Sequence, residues 1–494
     1  MIARDNHIRI IRILYTVIAI LTLQFIAGSG AMCQTLTLNE LILYAQAHSP
    51  ESMKNITRKE NKYWQYRSFK SELKPRLVLN SNLPFYQNTS IPVMQDNGST
   101  VYRTVNQAQS KLDLTLEQNI AITGGKIFLS TDLSRLDEFE QNTTSYNGSP
   151  YFIGFQQPIY GFNELKWMKE LEPLKYAASI REYAETNEYI ACQTVTRYFN
   201  LLLAQSNVRI SELNHDHAES IYKIGMERFE MGQISRNELL QLEHGVLASS
   251  KAKARSLLSS ETSQLELRSY TGLPAKEDLV LNIPDQIPEI HIDDSLAISL
   301  ALENSHSSLE FKQQIVEARR DMEKARRESG FNADLYLSYG ATNIAASVTD
   351  IYKDPGPSGI VNLGIMVPIL DWGRSKAARK TAEANLKMVE YTVKQESLVL
   401  EQEVMTLCKN LGMLREFINY TRETDRVANE RYGIAHDRYI AGDISLTEYN
   451  IALEEKDLAK QDYILSLMDF WTTWFSLRMF TLYDFENMRS LIED

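Results

Sequence analysis

From Leu36 to Lys74 apolar positions recur at helical spacing, and Pro75 closes the run. Asn39, with Glu40 behind it, reads as the N-cap. After Pro75 the period changes to two. Lys111-Leu112-Asp113-Leu114-Thr115-Leu116-Glu117 alternates cleanly, and so does Ile127-Phe128-Leu129-Ser130-Thr131-Asp132-Leu133. Asn97-Gly98, Gly124-Gly125 and Asn147-Gly148 mark turns, which leaves four predicted strands at about 76–91, 108–122, 126–139 and 150–160. Alternation sets one face against an apolar phase and the other in water; that phase is a protein core in a sandwich and lipid in a membrane barrel.

Helical spacing then returns for a long stretch. Leu174 to Met231 reads as one helix of 58 residues, roughly 87 Å long at the α-helical rise. Pro173 suits its first turn and Gly232 its C-cap. Ser235 N-caps a return helix to 271, where Leu239, Leu242 and Val246 form a narrow seam followed by a run of Ala and Ser. A linker with three prolines covers 273–292. The order then repeats: a helix from about Asp293 to Ser329, two strands at about 333–370, a long helix 375–441, a turn at Gly442 and a return helix 445–483. Narrow seams on long antiparallel helices predict coiled-coil packing rather than a thick core. The aromatic stretch from Tyr463 to Phe485 contains Asp469 and Arg478 and reads as a buried helix end, not a membrane span.

The repetition extends to single residues. Arg228-Phe229-Glu230-Met231-Gly232-Gln233-Ile234-Ser235-Arg236-Asn237-Glu238 recurs 210 positions later as Arg438-Tyr439-Ile440-Ala441-Gly442-Asp443-Ile444-Ser445-Leu446-Thr447-Glu448. Gly154-Phe155-Gln156-Gln157-Pro158-Ile159 matches Gly364-Ile365-Met366-Val367-Pro368-Ile369 at the same shift. Ala45 to Ser49 matches Ala301 to Ser305 at a shift of 256, so the first copy carries about 46 extra residues between Pro75 and Gly154. The chain is an internal duplication: repeat 1 over 34–272 and repeat 2 over 293–494.

Composition narrows the class. The net charge of −12 argues against a nucleic-acid surface, which needs clustered Lys and Arg. Residues 1–33 form a basic start, a 14-residue apolar run and a small-residue end, the pattern of a secretory signal. Cleavage after Cys33 leaves Gln34 first; lipidation of Cys33 is the alternative, disfavoured by Met32 before it. Cys192 and Cys408 read as free thiols in helices. No phosphate loop, nucleophile motif or paired-cysteine motif occurs. His215-Asp216-His217 puts two imidazoles on different sides of a helix and reads as a solvated face rather than a metal site. No enzyme activity, cofactor or metal is expected.

Each repeat is thus a short helix, strands, a long helix and a return helix, behind a signal segment. With the two Arg-aromatic-x-x-Gly-x-Ile-Ser turns, the passages Gln157-Pro158-Ile159-Tyr160-Gly161 and Val367-Pro368-Ile369-Leu370-Asp371-Trp372-Gly373-Arg374, and the starts at Ala45 and Ala301, the chain resembles the TolC family of outer-membrane efflux channels. The resemblance implies an α+β membrane protein: a homotrimer whose strands close one barrel in the outer membrane of a Gram-negative bacterium, and whose coiled coils form a periplasmic tube. The tube meets a periplasmic adaptor and an inner-membrane pump, and the protein is the passive exit duct of an efflux or secretion system. The family gives two strands per repeat, twelve per trimer; here an added hairpin either joins the barrel or lies beside it. Adaptor docking maps to Met231, Gly232, Gln233, Ile234 and Ser235 and to Ala441, Gly442, Asp443, Ile444 and Ser445. A pore constriction maps to Glu448, Glu238 and Asp443. The alternative from another class is a periplasmic coiled-coil tether or adaptor with a small sheet domain.

Overall fold

The computed structural model of the chain describes residues 35–274 and 279–492. The predicted signal segment, Cys33 and Gln34 lie outside the described residues. In chain order the elements are β1 (Thr35–Leu36), α1 (Leu38–His48), α2 (Pro50–Glu72), β2 (Arg76–Met94), β3 (Thr100–Ile120), β4 (Gly125–Glu138), β5 (Thr143–Pro158), α3 (Glu164–Glu230) and α4 (Arg236–Thr271). They continue with β6 (Val280–Leu281), α5 (Asp294–Asn304), α6 (His306–Glu328), β7 (Asn332–Ala345), α7 (Val348–Ile351), β8 (Gly356–Met366), α8 (Arg374–Ala441), α9 (Leu446–Thr481), β9 (Tyr483–Asp484) and β10 (Arg489–Ser490). The chain divides into one unit of 35–53, 189–289 and 411–475 and a second of 54–188, 290–410 and 476–492.

The first unit is helical. Tyr198 and Phe199 of α3, Leu267 of α4, Ile418 of α8, and Ile464, Leu467, Phe470 and Trp474 of α9 are buried. The aromatic stretch is therefore a buried helix end, with Phe470 and Trp474 stacked at 6.4 Å. The inter-repeat linker is held by hydrogen bonds from two helices, α3 and α8. Tyr198 Oη donates to the Asn282 carbonyl at 2.6 Å, Arg415 to Pro288 at 3.0 Å and Arg422 to Asp285 at 3.3 Å. A segment without regular structure leaves its carbonyls orphaned, and these side chains satisfy them.

Three of the short helices start differently from expectation. The cap of α1 is Thr37, not Asn39. Thr37 Oγ1 accepts from the Glu40 N–H at 3.4 Å while the Glu40 carboxylate accepts from the Thr37 N–H at 3.0 Å, a reciprocal capping box. The stretch from Leu36 to Lys74 is two helices broken at Ser49, whose N–H donates to Ala45 at 2.9 Å while its Oγ accepts from Ser52 N–H at 3.0 Å. The stretch from Asp293 breaks likewise at Ser305: its N–H donates to Ala301 at 3.0 Å and its Oγ accepts from Ser308 N–H at 3.2 Å. One serine thus ends one helix and begins the next. That is the physical content of the repeated Ala-x-x-x-Ser motif.

The second unit contains a six-stranded sheet of order β2-β3-β4-β5-β7-β8, antiparallel throughout. Asn147-Gly148 is not a turn; it lies inside β5, paired to β4 and β7. The β4–β5 turn comes earlier, with Asn142 at φ +53°. Beside the sheet, Asn55 of α2 donates to the Tyr183 carbonyl at 3.0 Å, and Tyr66 stacks on Tyr176 at 4.8 Å. α3 begins at Glu164 rather than 174, because Asn163 Oδ1 accepts from Lys166 N–H at 3.1 Å; Pro173 sits inside the helix, not in its first turn. Arg478 and Glu188, both largely buried, form a two-pronged pair at 2.8 and 3.1 Å.

Trp474→Ala removes the largest fully buried side chain. It is expected to destabilise the first unit by about 3–5 kcal/mol. The midpoint of denaturant unfolding, followed by far-ultraviolet circular dichroism in detergent, measures the loss; an unchanged midpoint refutes the core assignment.

Candidate functional site

The sheet has two chemically distinct faces. On one, Leu77 of β2 pairs with Leu116 of β3, Leu116 with Leu129 of β4, Leu129 with Ile153 of β5 and Ile153 with Tyr339 of β7. One row away, Ile127, Phe155, Leu337 and Val361 continue the apolar face from β4 to β8. On the other face Arg76 pairs with Glu117, Asn80 Nδ2 donates to Asp113 at 3.3 Å, and Gln109 Nε2 donates to Ser134 Oγ at 3.0 Å. Exposure runs opposite to that of a soluble sheet. Leu112, Leu114 and Leu116 are exposed, whereas Asp113, Thr115 and Glu117 between them are partly covered. Gly154 helps pack the polar side, since a Cβ there would run into the Phe128 ring, which stacks on Tyr336 at 6.1 Å. An apolar face with nothing over it and a polar inner face is the side-chain order of a membrane barrel wall.

Aromatic residues mark the passages from strand to helix. Tyr160 meets Phe331 edge-on at 5.6 Å, Ile369 and Trp372 are almost fully exposed, and Leu370 is largely exposed. Asp371 caps α8 by accepting from Gly373 and Ser375 N–H at 2.9 and 2.8 Å. Several bonds to that carboxylate hold its pKa below the ordinary aspartate value, the side-chain bond to Ser375 first among them. Exposed aromatics beside an apolar band suit the interface between lipid and water.

The first unit carries the two duplicated turns. In each, two bonds run back into the long helix. Gly232 N–H donates to Phe229 and Gln233 N–H to Arg228, at 2.9 and 2.8 Å; Gly442 donates to Tyr439 and Asp443 to Arg438, at 3.0 and 2.9 Å. This is a Schellman ending, and it needs the left-handed residue that glycine supplies, at φ +70° and +87°. Ser235 and Ser445 then accept from Glu238 and Glu448 N–H, each at 3.2 Å. Ile234 and Ile444 pack on one cluster of Ile221, Leu242, Tyr439 and Tyr449. Gly, Ile and Ser of the motif therefore end a helix, plug the tip and start the next helix.

The turns also touch each other. Arg228 Nη2 donates to the Ile440 carbonyl at 2.7 Å. Met231, Gly232, Gln233 and Ser235 are exposed, as are Ala441, Gly442, Asp443 and Ser445, while Ile234 and Ile444 are half-buried. The Glu448 carboxylate completes a capping box, accepting from Ser445 N–H at 3.0 Å. Glu238 is half-buried and Asp443 exposed.

Sequence reasoning missed what lies behind the turns. His217 is not on a solvated face. Its Nδ1 is 2.6 Å from Tyr432 Oη, and its ring lies 4.9 Å from that of His436, which stands 6.0 Å from Tyr449. His436 Nδ1 is buried without a hydrogen-bond partner. Lys456 lies 4.2 Å over the Tyr432 ring. Burial pulls the His217 pKa below the ordinary imidazole value, and the charges of His436 and Lys456 add to it. His215 faces elsewhere, 3.1 Å from Ser249 of α4. Two residues on one helix thus point into two different seams. Tyr432, His436 and Tyr439 share a helical stripe in the sequence, but only tertiary structure brings His217 to it. Among the described residues no cluster of three metal-ligating side chains occurs.

Comparison with known proteins agrees with this geometry. No curated protein sequence matches significantly. Solved structures share the fold at low identity. The outer membrane channel CmeC of Campylobacter jejuni is 16% identical over 92% of this chain and 87% of its own, with a TM-score of 0.65. The outer membrane protein VceC of Vibrio cholerae is 14% identical over 90% and 95%, with a TM-score of 0.62. The open-state MtrE outer membrane channel of Neisseria gonorrhoeae is 14% identical over 90% and 88%, with a TM-score of 0.61. The family model for outer membrane efflux proteins matches residues 123–273 and 297–479, including both turns. Two repeats matched in order across most of the chain, with a sheet whose apolar face is the exposed one, establish that the chain belongs to the outer membrane efflux protein family, the TolC-type channels.

Proposed function

We propose that three copies of this chain surround one axis, with the sheets in the outer membrane and the long helices forming a periplasmic tube. Family membership makes the protein an outer-membrane exit duct for efflux, a passive channel and not an enzyme. The observation that carries the ring is an inequality between the two repeats. Within the chain α3 meets α9 through Asn214 with Asp457 at 2.7 Å and Asn207 with Gln461 at 3.2 Å. In the other copy of each helix, the 210-residue shift turns Asn207, Ile210 and His217 into Phe417, Tyr420 and Val427, and Asn450 and Asp457 into Leu240 and Leu247. All five of these are exposed. The duplicates of those two contacts, Thr424 with Leu247 and Phe417 with Lys251, are exposed beside the apolar Tyr420, Val427 and Leu240, a stripe that suits a neighbouring copy. A tether would leave both that stripe and the apolar sheet face against water.

At the tip, residues 231–235 and 441–445 are proposed to receive the helical hairpin of a periplasmic adaptor, which recruits an inner-membrane pump. Both glycines meet nothing within van der Waals distance except the edge of Arg228, so an incoming helix can approach the backbone closely. Glu448, Glu238 and Asp443 are proposed to narrow the pore there, because like carboxylates repeated around an axis repel and attract cations.

Single-channel recording of the trimer in planar bilayers tests the constriction. Glu448→Gln, whose amide oxygen still accepts the cap bond, is expected to lower block by divalent cations several-fold. Unchanged conductance and unchanged block refute the constriction.

The histidine cluster gives a second outcome. His217 titrates below its ordinary value of 6.5, so the folded tip favours neutral imidazole. Its contribution to stability is complete above that value. It declines as pH falls from there toward the lowered folded value, because the unfolded chain then binds the extra proton. Thermal melts are expected to show a tip transition weakened between pH 7.5 and 5.5, and a flatter response in His217→Gln. An identical pH response in both proteins refutes the link.

A further inference from the structure

The sheet ends in two open edges, β2 and β8. Its apolar face places those edges in lipid, where an unpaired backbone N–H or C=O has no partner. We propose that β8 of one copy pairs with β2 of the next, so that six strands per copy close an eighteen-stranded barrel with the added hairpin β2–β3 inside its wall. The inference rests on the trimeric reading above and goes beyond the resemblance, which implies twelve strands.

Four observations carry it. The hairpin is paired to the rest of the sheet along fourteen consecutive positions, from Gln107 with Glu138 to Ile120 with Gly125. That ladder is as continuous as any in the sheet. The faces agree as well, because Leu77 and Leu79 of β2 stand in the same rows as Leu116 and Leu114. Next, the turn that joins β3 to β4 is tied to the helix that follows β5. Asn163, the cap of α3, donates to the Ala121 carbonyl at 2.9 Å and to Ile122 at 3.2 Å. The lower end of β3 is thereby fixed beside β4 and the start of α3. Last, direction fits. β2 and β8 run opposite ways in an antiparallel sheet of even strand number, so head-to-tail closure keeps every pair antiparallel. The family match of the first repeat begins at residue 123, just before β4, so it includes β4 and β5 and leaves out β2–β3 together with α1 and α2.

Two consequences follow. At the usual strand spacing and barrel tilt, eighteen strands enclose a backbone diameter of about 36 Å, against about 24 Å for twelve. The addition therefore widens the outer mouth. The β2–β3 hairpin also outruns its neighbour, since Thr100 to Asn106 pair with β2 while pairing to β4 begins at Gln107. That part stands as a ribbon beyond β4, on the side away from the helices.

Single-particle imaging of the detergent-extracted full chain decides the count. Eighteen strands around the pore are expected. A three-fold particle with twelve wall strands and β2–β3 outside overturns the proposal and leaves the trimer standing. A particle without three-fold symmetry overturns the trimeric reading itself, and this inference with it. Cysteine pairs give an independent readout in native membranes. Val361→Cys on β8 is combined with Leu77→Cys or Leu79→Cys on β2, or with Ile127→Cys or Leu129→Cys on β4. Disulfide-linked multimers are expected only with β2; linkage only with β4, which would be the edge of a twelve-stranded wall, overturns it.

Discussion

A backbone ladder must be satisfied where no water can reach it, and the rest of this protein depends on that constraint. The sheet exposes leucine, isoleucine and tyrosine on one face while half-covering aspartate, threonine and glutamate on the other. Such a face lowers its free energy in hydrocarbon, at about 25 cal/mol for each Å² removed from water. Once there, each edge peptide needs a partner, and only another strand can supply a whole row. In the proposed trimer, oligomerisation completes the sheet rather than adding to a finished fold.

The helical unit meets a milder form of the same demand. Each long helix has to end, reverse and resume without leaving its terminal groups unpaired. The duplicated motif does this with three residue types: glycine in the left-handed conformation, serine as the next cap, and isoleucine turned back onto the seam. Identical chemistry then meets different surroundings. Arg228 finds the Ile440 carbonyl inside its own chain, whereas Arg438 is exposed. The seam between repeats inside the chain contains asparagine, aspartate and histidine, whereas several of the duplicate positions hold exposed phenylalanine, tyrosine and leucine. The two copies share the turn geometry and differ in what surrounds it, and in the proposed trimer the second faces a separate copy.

Much of this was legible in the chain because it is written in local periods. Alternation located the strands and helical spacing located the long helices, since side-chain direction follows from backbone geometry alone. The turn motif was legible because glycine and serine have local reasons to be there. What failed was local chemistry with two solutions. Asn147-Gly148 has turn composition, yet lies within β5, where the ladder to β4 and β7 on both sides overrides it. Pro173 suits a first turn, yet Asn163 offers a stronger cap ten residues earlier. Ser49 and Ser305 break helices that the apolar spacing runs through, because that spacing is blind to a side chain that caps the next helix. His217 was invisible for another reason. Its role depends on Tyr432 and His436, more than 200 residues away in sequence, and no period encodes such a meeting.

The histidine cluster and the polar intrachain seam belong to one argument about where the tube yields. An apolar coiled-coil seam holds through contact area and changes little with pH or salt, because burial of hydrocarbon carries no charge. A seam of aspartate, lysine, histidine and tyrosine holds through hydrogen bonds and ion pairs, and these respond to protonation and to ions. His217, Tyr432, His436, Tyr449, Lys456 and Asp457 all sit on the intrachain side, together with Asn214. Phe417, Tyr420, Val427, Leu240 and Leu247 are exposed, the surface proposed to meet the next copy. In the proposed ring, a disturbance at the tip would be absorbed at the seams whose energy can be switched, while the apolar stripes would keep the copies together. The chain thus confines its adjustable chemistry to joints that its own covalent continuity already protects from coming apart.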